Sequence, residues 1–198
     1  MFLNNLDVHA FTGQTALNYI EELAALRIEV FREFPYLYDG DMAYERSYLQ
    51  AFLAAPDAVL VLVFDEDVVV GASTGLPMAH ETPNIQKPFL ENGYDIKKVF
   101  YYGESVLKKD YRGRGLGLAF FEEREAHARR LERFEWLCFC GVQRAEEHPR
   151  RPAGYVPLDR FWQKRGFERT DMICEMSWQD LDETTESPKS LQFWQKRI

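Results

Sequence analysis

The chain has 198 residues, 46% hydrophobic and 28% charged, enough apolar content to bury one sizeable core as a single domain over 1–198. A formal net charge of −8 argues against nucleic acid or an anionic membrane as partner and favours neutral or cationic ones. No run approaches the ~20 apolar residues that span a bilayer, and no basic segment leads into an apolar core at the start, so a cytoplasmic protein is expected.

In chain order, residues 6–10 read as a short first strand and residues 19–31 as an amphipathic helix, with Tyr19, Leu23, Leu26 and Val30 at helical spacing. An aromatic and acidic loop follows, containing Tyr36, Tyr38, Asp39 and Asp41, then a second helix over 43–54 closed by Pro56. Residues 58–64 and 68–74 are β-rich runs joined at Asp65-Glu66-Asp67 and predict a hairpin. Residues 77–92 read as loop-like with room for a helical turn, and 99–107 as the central strand. A helix over 116–131 and a strand over 135–142 come next. The segment 146–157, punctuated by Pro149, Pro152, Gly154 and Pro157, is expected to be a surface excursion before a short helix over 158–164. Two last strands, 172–178 and 191–195, flank a polar and mobile 180–189.

Cys138, Cys140 and Cys174 lack C-x-x-C spacing, and His9, His80, His127 and His148 are scattered. No metal site is expected, and unpaired thiols suit a reducing compartment.

The stretch Arg112-Gly113-Arg114-Gly115-Leu116-Gly117 lies between the central strand and the next helix. Glycines there let successive backbone N–H groups turn toward one ligand, and the helix dipole adds about half a positive charge, so the turn should cradle a pyrophosphate. No Gly-Lys-Ser or Gly-Lys-Thr occurs, which excludes a Walker loop, and G-x-G-x-G so late in the chain fits a dinucleotide fingerprint badly.

Arg112, Gly115 and Gly117 do satisfy (Gln/Arg)-x-x-Gly-x-(Gly/Ala), and the run 110–117 closely resembles the acyl-CoA-binding motif of the GNAT superfamily of N-acyltransferases. Trp162 to Phe167 resembles the same family's helix ending in aromatic-x-x-x-Gly-Phe. The resemblance covers almost the whole chain and implies an α/β (α+β) fold: a mixed, mostly antiparallel sheet of six to seven strands with helices on both faces, in the order βααββ-βαβ-αββ. It also implies acetyl-CoA as co-substrate. The pantetheine arm would lie along Val106 and Leu107 where two strands splay, and the backbone of Gly113, Gly115, Leu116 and Gly117 would hold the pyrophosphate. Arg112 and Arg114 would meet the remaining phosphate charge. Gly103 would supply a bulge that opens the sheet, or only a packing notch.

Amide formation needs a neutral amine, yet an alkylamine is only about one part in two thousand deprotonated at pH 7. Glu104, an acid inside the apolar run 99–107, is the candidate general base, with a structural carboxylate paired to an arginine as the alternative. Many family members carry a tyrosine where this chain has Trp162, whose indole cannot serve as acid, so Tyr155 is the candidate proton donor, with a surface tyrosine of no catalytic role and a thiol that leaves with solvent help as the alternatives. Tyr36, Tyr38, Asp39, Asp41 and Glu45 suit a cationic acceptor, a small molecule or peptide amine, with ordinary packing of Tyr36 and a solvated Asp39-Gly40-Asp41 turn as the alternative. The resemblance thus implies direct acetyl transfer to a primary amine in a ternary complex. A non-catalytic acyl-CoA sensor, a longer acyl group and a homodimer stay open.

Overall fold

The computed structural model describes residues 2–3 and 6–198. The strands among them are β1 (Phe2–Leu3), β2 (Leu6–Thr12), β3 (Val59–Asp65), β4 (Val68–Pro77), β5 (Val99–Leu107), β6 (Trp136–Val142), β7 (Glu168–Trp178) and β8 (Ser187–Arg197). They form one sheet in the order β1-β2-β3-β4-β5-β6-β8-β7, antiparallel except where β5 meets β6. The helices are α1 (Gln14–Leu17), α2 (Ile20–Phe31), α3 (Met42–Leu53), α4 (Pro83–Glu91), α5 (Leu116–Arg130) and α6 (Asp159–Gln163). None is long and apolar enough to cross a membrane.

The sheet is covered on both faces, which explains why β3 reads as an unbroken Val-Leu-Val-Leu-Val run rather than an alternation. Leu60 and Leu62 join a core with Leu23 and Leu26 of α2 and Leu49 and Leu53 of α3. Val59, Val61 and Val63 face the other way, into a core with Leu116, Phe120 and Phe121 of α5. The expected α/β architecture and mostly antiparallel sheet hold, with β1 as an eighth, two-residue strand and α1 as a further short helix.

Two expectations fail. Residues 77–92 hold more than a loop with a helical turn: they contain the nine-residue α4, with Pro83 in its first turn and Pro88 inside it. Proline lowers intrinsic helicity, but Ile85 and Phe89 are buried, Phe89 edge-on to Phe193 at 5.1 Å, so packing overrides propensity. Nor is 180–189 a loose polar link. Asp180 and Lys189 are both buried and ion-paired, Asp180 to Arg144 at 2.7 Å and Lys189 to Glu183 at 2.9 Å, and 187–189 already belong to β8.

The feature that positions the site is a local failure of pairing. β5 and β6 pair only at Val99↔Trp136, Phe100↔Leu137 and Tyr101↔Cys138, and beyond Tyr101 no register joins them. On its other edge β5 stays with β4 past a bulge, where Tyr102↔Gly75 and Ser105↔Ser73 leave Gly103 and Glu104 opposite Thr74 alone. The notch reading of Gly103 also holds: a Cβ there would stand 2.5 Å from Thr74 Oγ1 and 2.9 Å from Phe52 Cζ. Gly103→Ala should therefore lower unfolding stability by about 1–3 kcal/mol. An unchanged denaturant midpoint would show that the bulge has slack the packing hides.

Candidate active site

The splay opens a groove of about 860 Å³, which runs from the bulge to the turn before α5. Gly113 and Gly115 hold φ of +78° and +86°, with nothing within 4 Å of where a Cβ would stand, and no side chain caps the N-terminus of α5. Open amides at an uncapped helix start suit an anion. Gly117 is different: it is helical, and a Cβ there would only touch Phe161 at an ordinary contact distance of 3.4 Å. Leu116 is buried in the core, so only its backbone can serve the turn.

The charged residues of the turn diverge. Arg112 lines the groove, donates through Nε to Leu107 O at 3.0 Å, and meets Glu33 at 2.7 and 3.1 Å. Arg114 turns back on its own loop, donating to Asp110 O at 2.8 Å with its guanidinium 5.1 Å from the Tyr111 ring centre. Leu107 lines the groove, whereas Val106, expected beside it, is fully buried in the core and does not line it.

A second cavity of about 300 Å³ lies on the α2–α3 side, with Tyr36, Tyr38, Asp39 and Asp41 among its walls. It meets the groove at Phe31, Tyr36, Gly103, Glu104 and Cys140. Glu104 is thus where the two spaces join. Tyr155 lines the groove alone, half-buried, its ring edge-on to Phe34 at 4.8 Å, and burial raises its phenol above the ordinary range. The loop acids are committed elsewhere: Asp41 caps α3 by accepting from Tyr44 N at 2.9 Å, and exposed Asp39 pairs with Arg32 at 3.0 Å.

Glu104 is buried and pairs with Arg27 Nη1 at 2.5 Å, so the arginine-paired carboxylate of the alternative reading is present. Burial pushes its carboxyl above the usual range, against the pull of Arg27. Its other oxygen, Oε1, is buried with no hydrogen-bond partner. Arg27 also donates through Nε to Glu45 Oε2 at 2.5 Å, and its guanidinium lies 5.0 Å from the Phe31 ring centre and 4.9 Å from that of Tyr48. Burial alone would lower Arg27, and Glu104 and Glu45 more than reverse this, keeping it charged.

Beneath the bulge Arg124 of α5 is buried without a carboxylate partner. It donates to Thr74 O at 3.2 Å, Glu104 O at 3.1 Å and Ser105 Oγ at 2.9 Å, and stacks 4.1 Å from the Tyr102 ring centre. Burial lowers it to about 10, still charged at neutral pH. Trp162 packs against Phe139 and Trp194 at 5.0 and 5.1 Å and fills the space over Gly141, whose absent Cβ would lie 3.1 Å from it. Among the described residues no group of three His, Cys, Asp or Glu is placed to hold a metal.

Residues 20–167 match the acetyltransferase (GNAT) family model. The chain belongs to the GNAT family. Similar solved structures include the ribosomal-protein-alanine N-acetyltransferase of Brucella melitensis, 15% identical, TM-score 0.63, with 97% of this chain and 99% of that one covered. An acetyltransferase of Thermus thermophilus is 17% identical, with TM-score 0.56 and all of both chains covered. The yncA protein of Salmonella typhimurium, solved with its cofactor acetyl-CoA, is 11% identical, with TM-score 0.61 and 98% and 94% covered. At these identities the likeness is one of fold. No curated protein matches the sequence.

Within this GNAT chain, the residues that sequence reading missed are Arg27, Arg124 and Arg144, together with the burial of Glu45 against Arg27, Glu45 having been read only as part of the acidic acceptor region. A signal existed for Arg27 and for the burial of Glu45. Arg27 stands between Leu23 and Phe31 at i,i+4 spacing on the inward face of α2, and Glu45 precedes Leu49 and Leu53 on that of α3. Arg144 holds the cavity's loop from across the molecule: it donates to Pro35 O and Tyr36 O, both at 2.8 Å, and forks onto Asp180. Trp178 Nε1 adds a bond to Tyr36 O at 3.1 Å.

Arg144→Ala leaves Asp180 short of its main partner and should cost about 3–5 kcal/mol. In hydrogen exchange, amides at 36–39 should lose protection while those of α5 keep theirs once the global change is subtracted. Uniform loss across both would mean that Arg144 is a general core element and not the anchor of this loop.

Proposed function

We propose that the protein transfers an acetyl group from acetyl-CoA directly to a primary amine of a small-molecule or peptide acceptor, both bound at once. The observation that carries this reading is the meeting of two spaces at Glu104: a long groove ending in an anion cradle, and a smaller cavity with acidic and aromatic walls. Family membership and the neighbour solved with acetyl-CoA support the choice of co-substrate.

Gly113, Gly115 and the first amides of α5 would hold the pyrophosphate, with Arg112 exchanging Glu33 for phosphate. The unpaired edge of β5 beyond Tyr101 offers backbone groups to the pantetheine amides. Bound acetyl-CoA supplies the acetyl thioester. Glu104 is the base, and its raised carboxyl is better matched to neutral pH than an ordinary one. Of three protons on the ammonium, one passes to Glu104 and on to solvent. The nitrogen pair then bonds to the acetyl carbon as the C–S bond breaks, a second proton goes to the departing sulfur, and the third stays in the amide. Tyr155, on the groove wall, is assigned to the sulfur's proton.

Gly115→Val should abolish acetyl-CoA binding by calorimetry while the fold is retained, because a branched residue is strained at φ +86° and obstructs the cradle. Parental affinity in the folded variant would place the phosphates elsewhere.

Glu104→Gln should leave acetyl-CoA affinity near that of the parent and lower thiol release with an accepted amine by about 10²-fold at pH 7. Because burial raises this carboxyl, parental turnover should fall with acid at a pH above the ordinary carboxylate range, and the variant should lack that limb. An unaltered rate and profile would return Glu104 to a purely structural role.

A further inference from the structure

With both of its carboxylates ionised, the Arg27 cluster is one positive charge short. One guanidinium serves two buried carboxylates, Glu45 and Glu104, through Oε2 of each. Glu45 is wholly buried and Glu104 is 7% exposed, so neither charge is neutralised by water. Each keeps its Oε1 buried without a close hydrogen bond, with the Tyr38 hydroxyl the nearest side-chain donor to Glu45 and the Thr74 hydroxyl that to Glu104. Tyr38 stands beside Glu45, but a neutral phenol does not change the sum of charges. Both carboxylates line the smaller cavity, and Arg27 is the single basic residue in its wall against Asp39, Asp41, Glu45, Glu104 and Glu186.

Two unclaimed carboxylate oxygens of one buried cluster call for a group with a positive charge and at least two donors. A primary ammonium has three donors on a compact charge. The remaining wall is aromatic, with Tyr36, Tyr48 and Trp178, which suits both a cation and an apolar arm behind it. At about 300 Å³ the cavity lies at the small end of ligand sites.

Building on the acetyltransferase reading, we propose that the acceptor binds as a primary ammonium on a short apolar arm, held between Glu45 and Glu104 so that it completes the charge of the Arg27 cluster. Glu45 selects the cation, and Glu104 both holds it and takes its proton. The loop acids Asp39 and Asp41 are then a rim and a helix cap.

The test titrates methylamine, butylamine, hexylamine and phenethylamine into the full chain saturated with CoA at pH 7, each against the alcohol of the same skeleton. At least one amine should bind tenfold or more tightly than its alcohol, and Glu45→Gln should raise that amine's Kd about tenfold or more while CoA affinity holds. Alcohols binding as well as amines, no amine binding at all, or a folded Glu45→Gln that binds amines like the parent would overturn the assignment. If Glu45→Gln does not fold, the amine-to-alcohol ratio in the parent decides alone. Loss of the acetyltransferase reading would show separately, as failure of the parent to bind acetyl-CoA.

Discussion

Past Tyr101, β5 can no longer pair with β6, and everything that defines the site follows from how the chain satisfies that broken edge. An unpaired strand edge inside a sheet exposes obligatory backbone donors and acceptors, so it must face water, a ligand or side chains. On the opposite side of β5, the bulge at Gly103 and Glu104 displaces the strand from β4, and Arg124 rises from α5 to take the carbonyls of Thr74 and Glu104 there. A buried arginine with no carboxylate is costly. Its cost is offset by four hydrogen-bond acceptors and the Tyr102 face, and the result is a rigid break in the sheet. The same bulge turns Glu104 toward Arg27, so opening the groove and placing the acid are one structural event.

Much of this was legible in the sequence, because the elements concerned obey local rules. The run 99–107, the glycine turn and the helix behind it carry strong periodicity and turn chemistry, and the strand and helix stand within a residue of the reading. What escaped depends on distant partners. α4 forms against proline propensity because Phe89 finds Phe193 a hundred residues on. Asp41, read as a substrate contact, has the composition of an acidic loop but the geometry of an N-cap, a role visible only once the helix start is fixed. Glu45 and Arg27 interrupt apolar stripes, and a charge in such a stripe signals a buried partner without naming it.

The loop over the smaller cavity illustrates the same limit. Its sequence is aromatic and acidic, with a solvated turn at Asp39-Gly40-Asp41 as its plain reading. Its backbone is nonetheless tied to the far edge of the sheet: Arg144 and Trp178 take its carbonyls, Asp39 N donates to Gln179 O at 2.9 Å, and Leu181 N donates to Leu37 O at 2.8 Å. These ties run through Asp180, which the composition of 180–189 marks as a solvated link. A polar segment can be structural when its charges are matched across the fold, and no window of sequence reveals the match.

The two spaces share five residues, and α2 with the loop after it serves both: Val30 and 33–35 line the groove with 102–124 and 139–165, while Arg27, Tyr101 and 38–48 line the smaller cavity with 176–191. Away from α2 and that loop, recognition of one occupant can drift without disturbing the other. A lineage built on this scaffold can exchange its acceptor by editing one loop, one helix and a strand end, while the cradle and the broken edge of β5 stay untouched. Only Phe31, Tyr36, Gly103, Glu104 and Cys140 answer to both, and that shared seam is where the evolutionary freedom of the molecule narrows to almost nothing.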